Sequence, residues 1–430
     1  MLVIFFGGKV DLLRTDDFFK YKGDTGVRYV AKSDEKVFSL YEANVGWREL
    51  YITGVNLGSA KPGFFPGDFG ITKEDYLRWF QQISDMNVNT IRIYVLQMPL
   101  FYQAFKQYNE TADKPLYLIH GVYMNEADIM AYQDAFAEDK LIANAFYQDI
   151  RDVVDAIHGK ARIEKTPGYA GGNYNTDISR YVIGWILGIE WEAELVMTTN
   201  EHNVQYTDYD GLYISIKNGT PFEVMLAEAA ETAVSYETQR YNEQRPLAVS
   251  NWVTSDPLHH PGEPNPEVED AVSVDMENLQ AKAGFEAGLF ASYHVYPYYP
   301  DLFSYDQTYL QDDPPNSYRV YIKALNKHHI MPVLVSEVGI QASRGIAHEN
   351  IHSGFNQGHV TETEQGEILV SLMADIRDEG LMGAIIFSWQ DEWFKKPGTR
   401  KIWMLPNGGL FGWIIKPTSR ILGCWPSTPA

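Results

Sequence analysis

The chain has 430 residues, 45% of them hydrophobic, enough apolar material for one large core or two ordinary ones. Its 57 acidic against 35 basic residues give a formal net charge of −22, which argues against nucleic acid and anionic membrane surfaces as partners. The single cysteine, Cys424, excludes an internal disulfide framework and any multi-cysteine metal site.

Residues 1–48 read as short strands forming an N-terminal β cap. The opening Met1–Lys9 has no basic leader ahead of its apolar run and reads as a strand rather than a signal peptide. No apolar stretch reaches the roughly 18 residues needed to cross a bilayer. These features suit a cytoplasmic chain or a segment of a longer exported one, and they leave the oligomeric state open.

From residue 49 onward, apolar β-runs alternate with helical patterns. Strands begin at Tyr51, Asn89 and Pro115, a fourth runs through Tyr181 to Glu190, and others begin at Pro246, Leu289, Pro332 and Met382. Between them, Thr72 with Asp75 opens a helix whose inner face is Tyr76, Trp79, Phe80, Ile83 and Met86. Thr361 with Glu364 opens another, with Ile368, Leu369, Leu372, Met373 and Ile376 inward and Gly380 as its stop. Residues 158–180, 195–220 and 257–275 read as long loops that shape a cleft. Strands alternating with helices pair in parallel, and eight units close a barrel. The expectation is therefore an α/β fold, a (β/α)8 TIM barrel over residues 49–415, with an irregular tail at 416–430. A doubly wound open sheet is the rival, but no Gly-x-Gly-x-x-Gly follows any strand.

Two of these runs end in a glutamate: Tyr181–Glu190 and Pro332–Glu337. A strand apolar on both faces lies inside such a barrel, and its carboxyl end is where barrels carry chemistry. Two carboxylates brought together there are the minimum equipment for hydrolysing a glycosidic bond. The 10 Trp, 28 Tyr and 21 Phe, many at strand ends, suit a site that stacks on sugar rings.

This pattern resembles the clan of retaining (β/α)8 glycoside hydrolases that includes cellulases, β-mannanases and β-galactosidases. The likeness spans roughly residues 50–395. Gly188-Ile189-Glu190 stands where the clan carries its acid/base as Gly-Asn-Glu, and Glu337 within Val335–Gly339 stands where it carries the nucleophile. Arg92, His294 with Tyr296, and Trp389 match the clan's residues on strands two, six and eight. The resemblance implies a double displacement: Glu337 attacks the anomeric carbon while Glu190 protonates the leaving oxygen and then activates water. It implies Tyr296 hydrogen-bonding Glu337 and Trp389 as the floor of the sugar site. Trp191, Trp252, Tyr123, Tyr298, Tyr299 and Trp393 follow strand ends and are candidates to line the cleft, and Asn356, Arg344 and Gln357 lie in the loop after strand seven. No cofactor and no metal are expected, and the partner is a carbohydrate.

Ile189 departs from the pattern, because the clan's asparagine at that position hydrogen-bonds the substrate's 2-hydroxyl. That motivates an alternative, a catalytically weak or silent carbohydrate-binding barrel. A transglycosylase using the same glutamates is a further alternative. Glu192 and Glu194 compete with Glu190 but lie past the strand end. His348-Glu349-Asn350-Ile351-His352 matches His-Glu-x-x-His, which binds zinc only on a helix; flanking Gly345, Gly354 and Gly358 make a loop the expected form. His259-His260 and His328-His329 lack partners at metal-ligand spacing, and surface or core roles are expected for them.

Overall fold

Eight parallel strands hydrogen-bond in a closed ring in the computed structural model, which describes residues 20–342 and 349–392. In chain order they are β1 (Ile52–Asn56), β2 (Thr90–Ile93), β3 (Tyr117–Val122), β4 (Val182–Leu187), β5 (Leu247–Trp252), β6 (Ala291–His294), β7 (Val333–Val338) and β8 (Gly383–Ile386). β8 returns to pair with β1, Ile386 opposite Val55, so the sheet has no edge. Each strand coincides with a run expected from the sequence, β7 continuing one residue past Glu337 to Val338. Strands β2, β4, β5, β6, β7 and β8 are buried along their whole length, which is why their sequences show no polar alternation.

Helices cover the outside. α1 (Lys73–Asp85) begins with a capping box, Thr72 accepting from the Asp75 amide while Asp75 accepts from the Thr72 amide. It buries Tyr76, Trp79, Phe80 and Ile83, which pack on Phe101 and Phe105 of α2 (Pro99–Thr111). α3 (Ala137–Ile157) and α5 (Pro221–Tyr241) pack side by side, with α4 (Ala193–His202) between them in sequence. α6 (Ser317–His328) and α7 (Glu362–Asp378) follow β6 and β7.

At the amino-terminal mouth, Ala31–Asp34, Val37–Glu42 and Gly46–Glu49 form an antiparallel meander. Its Val30, Ala31, Phe38 and Leu40 pack on the interior layer of Ile52, Ile119, Ile183, Ala248, Phe290 and Leu334. This is the expected β cap.

Two segments read as loops carry structure. Residues 195–202 belong to α4, and Tyr209–Asp210, Ile214–Ile216 and Gln280–Ala281 pair as a small sheet. Residues 161–174 contain the hairpin Ala161–Ile163 with Gly172–Tyr174, which leads from α3 into β4. The expected strand over residues 1–9, the chain after Glu392 and Cys424 lie outside the described residues.

Candidate active site

The polar groups at the carboxyl ends of the strands converge on Glu337. Glu337 is within β7 and 5% exposed; Arg92, from β2, is fully buried. Arg92 Nη1 donates to Glu337 Oε1 at 3.0 Å and to Asn56 Oδ1 at 3.0 Å. Asn56 is fixed in turn because its Nδ2 donates to the Ser336 carbonyl at 2.9 Å. The Tyr296 hydroxyl donates to the other carboxylate oxygen, Glu337 Oε2, at 2.8 Å. Burial first, then the charge of Glu337, pushes the Tyr296 phenol well above its ordinary range, so it remains a donor.

Glu190 enters from the other side. Gly188 has φ +95°, and a Cβ there would lie 2.1 Å from the Trp191 ring, so only glycine makes this turn. The turn carries Glu190 off the end of β4 into the mouth with its side chain 26% exposed. His294 Nδ1 lies 2.9 Å from Glu190 Oε1, and its Nε2 lies 3.4 Å from Glu337 Oε1. One ligand atom from each of Glu190, His294 and Glu337 lies within 4.8 Å of the other two. The two carboxylates, 147 residues apart in sequence (337 − 190), therefore face each other.

Aromatic rings surround them. Tyr123 stacks on Tyr94 at 5.9 Å, and the Arg92 guanidinium lies 5.2 Å from the Tyr94 ring centre. Burial raises the Tyr123 phenol, with the charges of Arg92, Glu337 and Glu190 all acting on it. Trp252 stacks on Tyr299 at 6.2 Å, and its Nε1 donates to the Trp191 carbonyl at 3.0 Å.

Three expected ligand-facing residues are placed differently. Trp191 is fully buried, edge-on to Phe222, with Nε1 donating to the Ser250 carbonyl at 2.8 Å, so it has no face for a sugar. The Trp389 backbone N–H binds the Asn56 carbonyl at 2.9 Å, and its ring is likewise fully buried without an open face. Asn356 turns into its own loop, Nδ2 on the Gly354 carbonyl at 3.1 Å, and Gln357 is the residue that reaches Tyr298. Arg344 and Trp393 lie outside the described residues. Sequence reasoning misses Asn56, Tyr94 and Gln341; Asn56, a polar residue ending an apolar run, carries the same signal that marks the glutamates.

Glu192 is the N-cap residue of α4 and Glu194 lies in its first turn, so both belong to the helix start rather than to a loop. In the His-Glu-x-x-His segment, Glu349 bridges Asn356 and the chain then turns, so the described residues 349–352 form no helix; His348 lies outside them. The histidine pairs have carboxylate partners that linear spacing hides. His260 Nε2 contacts Asp256 at 3.1 Å, His328 Nε2 contacts Asp275 at 2.8 Å, and His329 Nδ1 contacts Glu277 at 3.0 Å.

No protein-family model and no curated protein matches the sequence. Among solved structures the chain is similar to a GH2 β-galacturonidase from Eisenbergiella tayi, at 14% identity over 87% of this chain and 51% of that one, TM-score 0.49. It is also similar to a β-glucuronidase from Faecalibacterium prausnitzii, at 12% over 85% and 46%, TM-score 0.48. A third is an endo-β-1,4-mannanase from Thermotoga petrophila, at 14% over 84% and 71%, TM-score 0.47. The chain spans about half the length of the first two. At these identities and scores the likeness carries nothing about activity. The fold itself, a (β/α)8 barrel with an N-terminal β cap, rests on the chain's own strand pairing.

Proposed function

We propose that the protein is a retaining β-glycosidase acting on an oligo- or polysaccharide. The observation that carries this reading is the opposition of Glu190 and Glu337, with carboxylate oxygens within 4.8 Å of each other across the barrel mouth. Retaining glycosidases hold their two carboxyls about 5–5.5 Å apart, because the nucleophile must touch the anomeric carbon; inverting enzymes need room for a water between.

The surroundings suit different roles for the two acids. Glu337 accepts from Arg92 at one oxygen and from Tyr296 at the other, which aims both oxygens. As its carboxylate bonds to the anomeric carbon, the bond to the leaving oxygen breaks and that oxygen takes the proton of Glu190. Glu190, now ionised, removes a proton from water, and the hydroxide oxygen displaces Glu337 from the sugar. His294 touches both carboxylates and positions Glu190 across this cycle.

A 2-fluoro aryl β-glycoside tests the reading. Its glycosyl-enzyme should accumulate, and peptide mass mapping should find the sugar on Glu337. Label on another residue, or no turnover of any aryl β-glycoside above a Glu337→Gln control, overturns it. One observation favours a second reading, a silent carbohydrate-binding barrel: Ile189 packs into the hydrophobic core at 7% exposure and offers nothing to a 2-hydroxyl.

A further inference from the structure

Glu337 is not alone among the polar side chains that β7 and its extension direct to the barrel mouth. Val338 and Ile340 pack outward among the helices, Val338 with Tyr321 and Leu325, Ile340 with Leu369. Alternation along an extended chain then turns Gln341 to the same side as Glu337. Gln341 is fully buried, yet neither its Nε2 nor its Oε1 has an aligned hydrogen-bond partner. Native interiors keep few such groups, because the lost hydration is returned only by a partner.

Gln341 has company. Its amide and that of Gln357 both approach the Tyr298 hydroxyl, which also senses the charges of Glu190 and Glu337. Gln357 is 3% exposed, and its Oε1 is also without a partner. Three neutral hydrogen-bonding side chains thus meet beside the glutamates, from the segment after β6, the extension of β7 and the loop that precedes α7. Gln341 Nε2 and Oε1 and Gln357 Oε1 approach protein groups without making a well-aligned hydrogen bond.

We propose that Gln341, Gln357 and Tyr298 form a hydroxyl-binding subsite that selects a neutral sugar over a uronic acid. The proposal rests on the glycosidase reading above and names its substrate class. A primary amide both donates and accepts, so it satisfies a sugar hydroxyl in either role. A sugar carboxylate could accept from the same donors, but none of the three side chains carries a countercharge, and the charges of Glu190 and Glu337 reach this point, as Tyr298 shows. Burying an anion so placed is unfavourable. Substrate hydroxyls would give these atoms aligned partners, and a site of that kind discriminates strongly against ligands lacking them.

The test uses the full chain with 4-nitrophenyl β-D-glucoside, galactoside, mannoside and glucuronide, alongside thermal melting without ligand. Wild type should turn over a neutral glycoside faster than the glucuronide. Gln341→Met keeps the side-chain volume and should lose about tenfold or more in kcat/KM on that glycoside while its melting temperature holds or rises. Gln357→Met should show the same kinetic loss, which covers the case that the first variant folds poorly. A falling melting temperature with unchanged kcat and KM means a structural amide and overturns the proposal, as does faster turnover of the glucuronide. If wild type hydrolyses nothing, the glycosidase reading fails separately. Calorimetric titration with 1-deoxynojirimycin then decides the subsite: equal affinity in wild type and both variants, or no binding at all, sinks it.

Discussion

His294 joins the two glutamates: Nδ1 is 2.9 Å from Glu190 Oε1, and Nε2 is 3.4 Å from Glu337 Oε1. A neutral imidazole carries one N–H, so the two contacts cannot both be donations from it. With Glu190 protonated, its O–H can donate to Nδ1 while Nε2–H faces Glu337. With Glu190 ionised, Nδ1–H donates to it, and Nε2 can accept from Ser250 Oγ at 3.5 Å. Either tautomer is satisfied, so the ring can follow Glu190 through both steps of the proposed reaction. His294→Ala should lower kcat by about a hundredfold, the cost of letting a reacting group drift by about 1 Å, and should displace the pH–rate profile. A wild-type profile with only KM altered would remove this role.

The Arg92–Glu337 pair is buried on both sides. Breaking a buried pair leaves an uncompensated charge, at about 3–5 kcal/mol. Arg92→Met should therefore lower the unfolding free energy by that amount in urea titrations, and Arg92→Met with Glu337→Gln should recover part of it. A single variant within about 1 kcal/mol of wild type would show that the pair is not held against desolvation.

Gly188→Ala forces a Cβ to within 2.1 Å of the Trp191 ring at a φ of +95°. The clash is with a ring that is itself fully buried, so the turn must shift and Glu190 with it. Activity should fall at least tenfold, in line with displaced reacting groups, and the melting temperature should drop. Equal activity would mean that the turn has slack.

Burial, then the charge of Glu263, pushes the Glu269 carboxyl up to about 7, where it meets the Asp301 amide and the Tyr299 hydroxyl at the cleft rim. A carboxyl raised from 4.5 holds its proton longer when folded than when unfolded, so its contribution to stability falls as pH rises from 4.5 to about 7 and is constant above. Glu269→Gln removes that slope. The melting temperature of the variant relative to wild type should be higher at pH 8 than at pH 5; an equal difference at both would refute the assignment.

The barrel was legible because each strand is a short, largely apolar run set off by turns and followed by a helical pattern. The glutamates were legible for the same reason, a charge standing at the end of an apolar run. The segments just beyond the strands were harder to read. The left-handed Gly188 reverses the direction in which Ile189, Glu190 and Trp191 point, so Trp191, expected in the cleft, goes inward. α4 escaped notice because only Leu195, Val196 and Thr199 are buried on it, too few to make a face, and no side chain caps its start. Gln341 and Gln357 are ordinary surface residue types, and only the fold shows them buried.

The meander that packs against Ile52, Ile119 and Phe290 plugs one end of the barrel with hydrocarbon. The strand interior is a packed core, and the meander continues that core at the amino-terminal end. Access to the two glutamates is therefore from the carboxyl-terminal mouth alone, the face on which Glu190 and Glu337 stand.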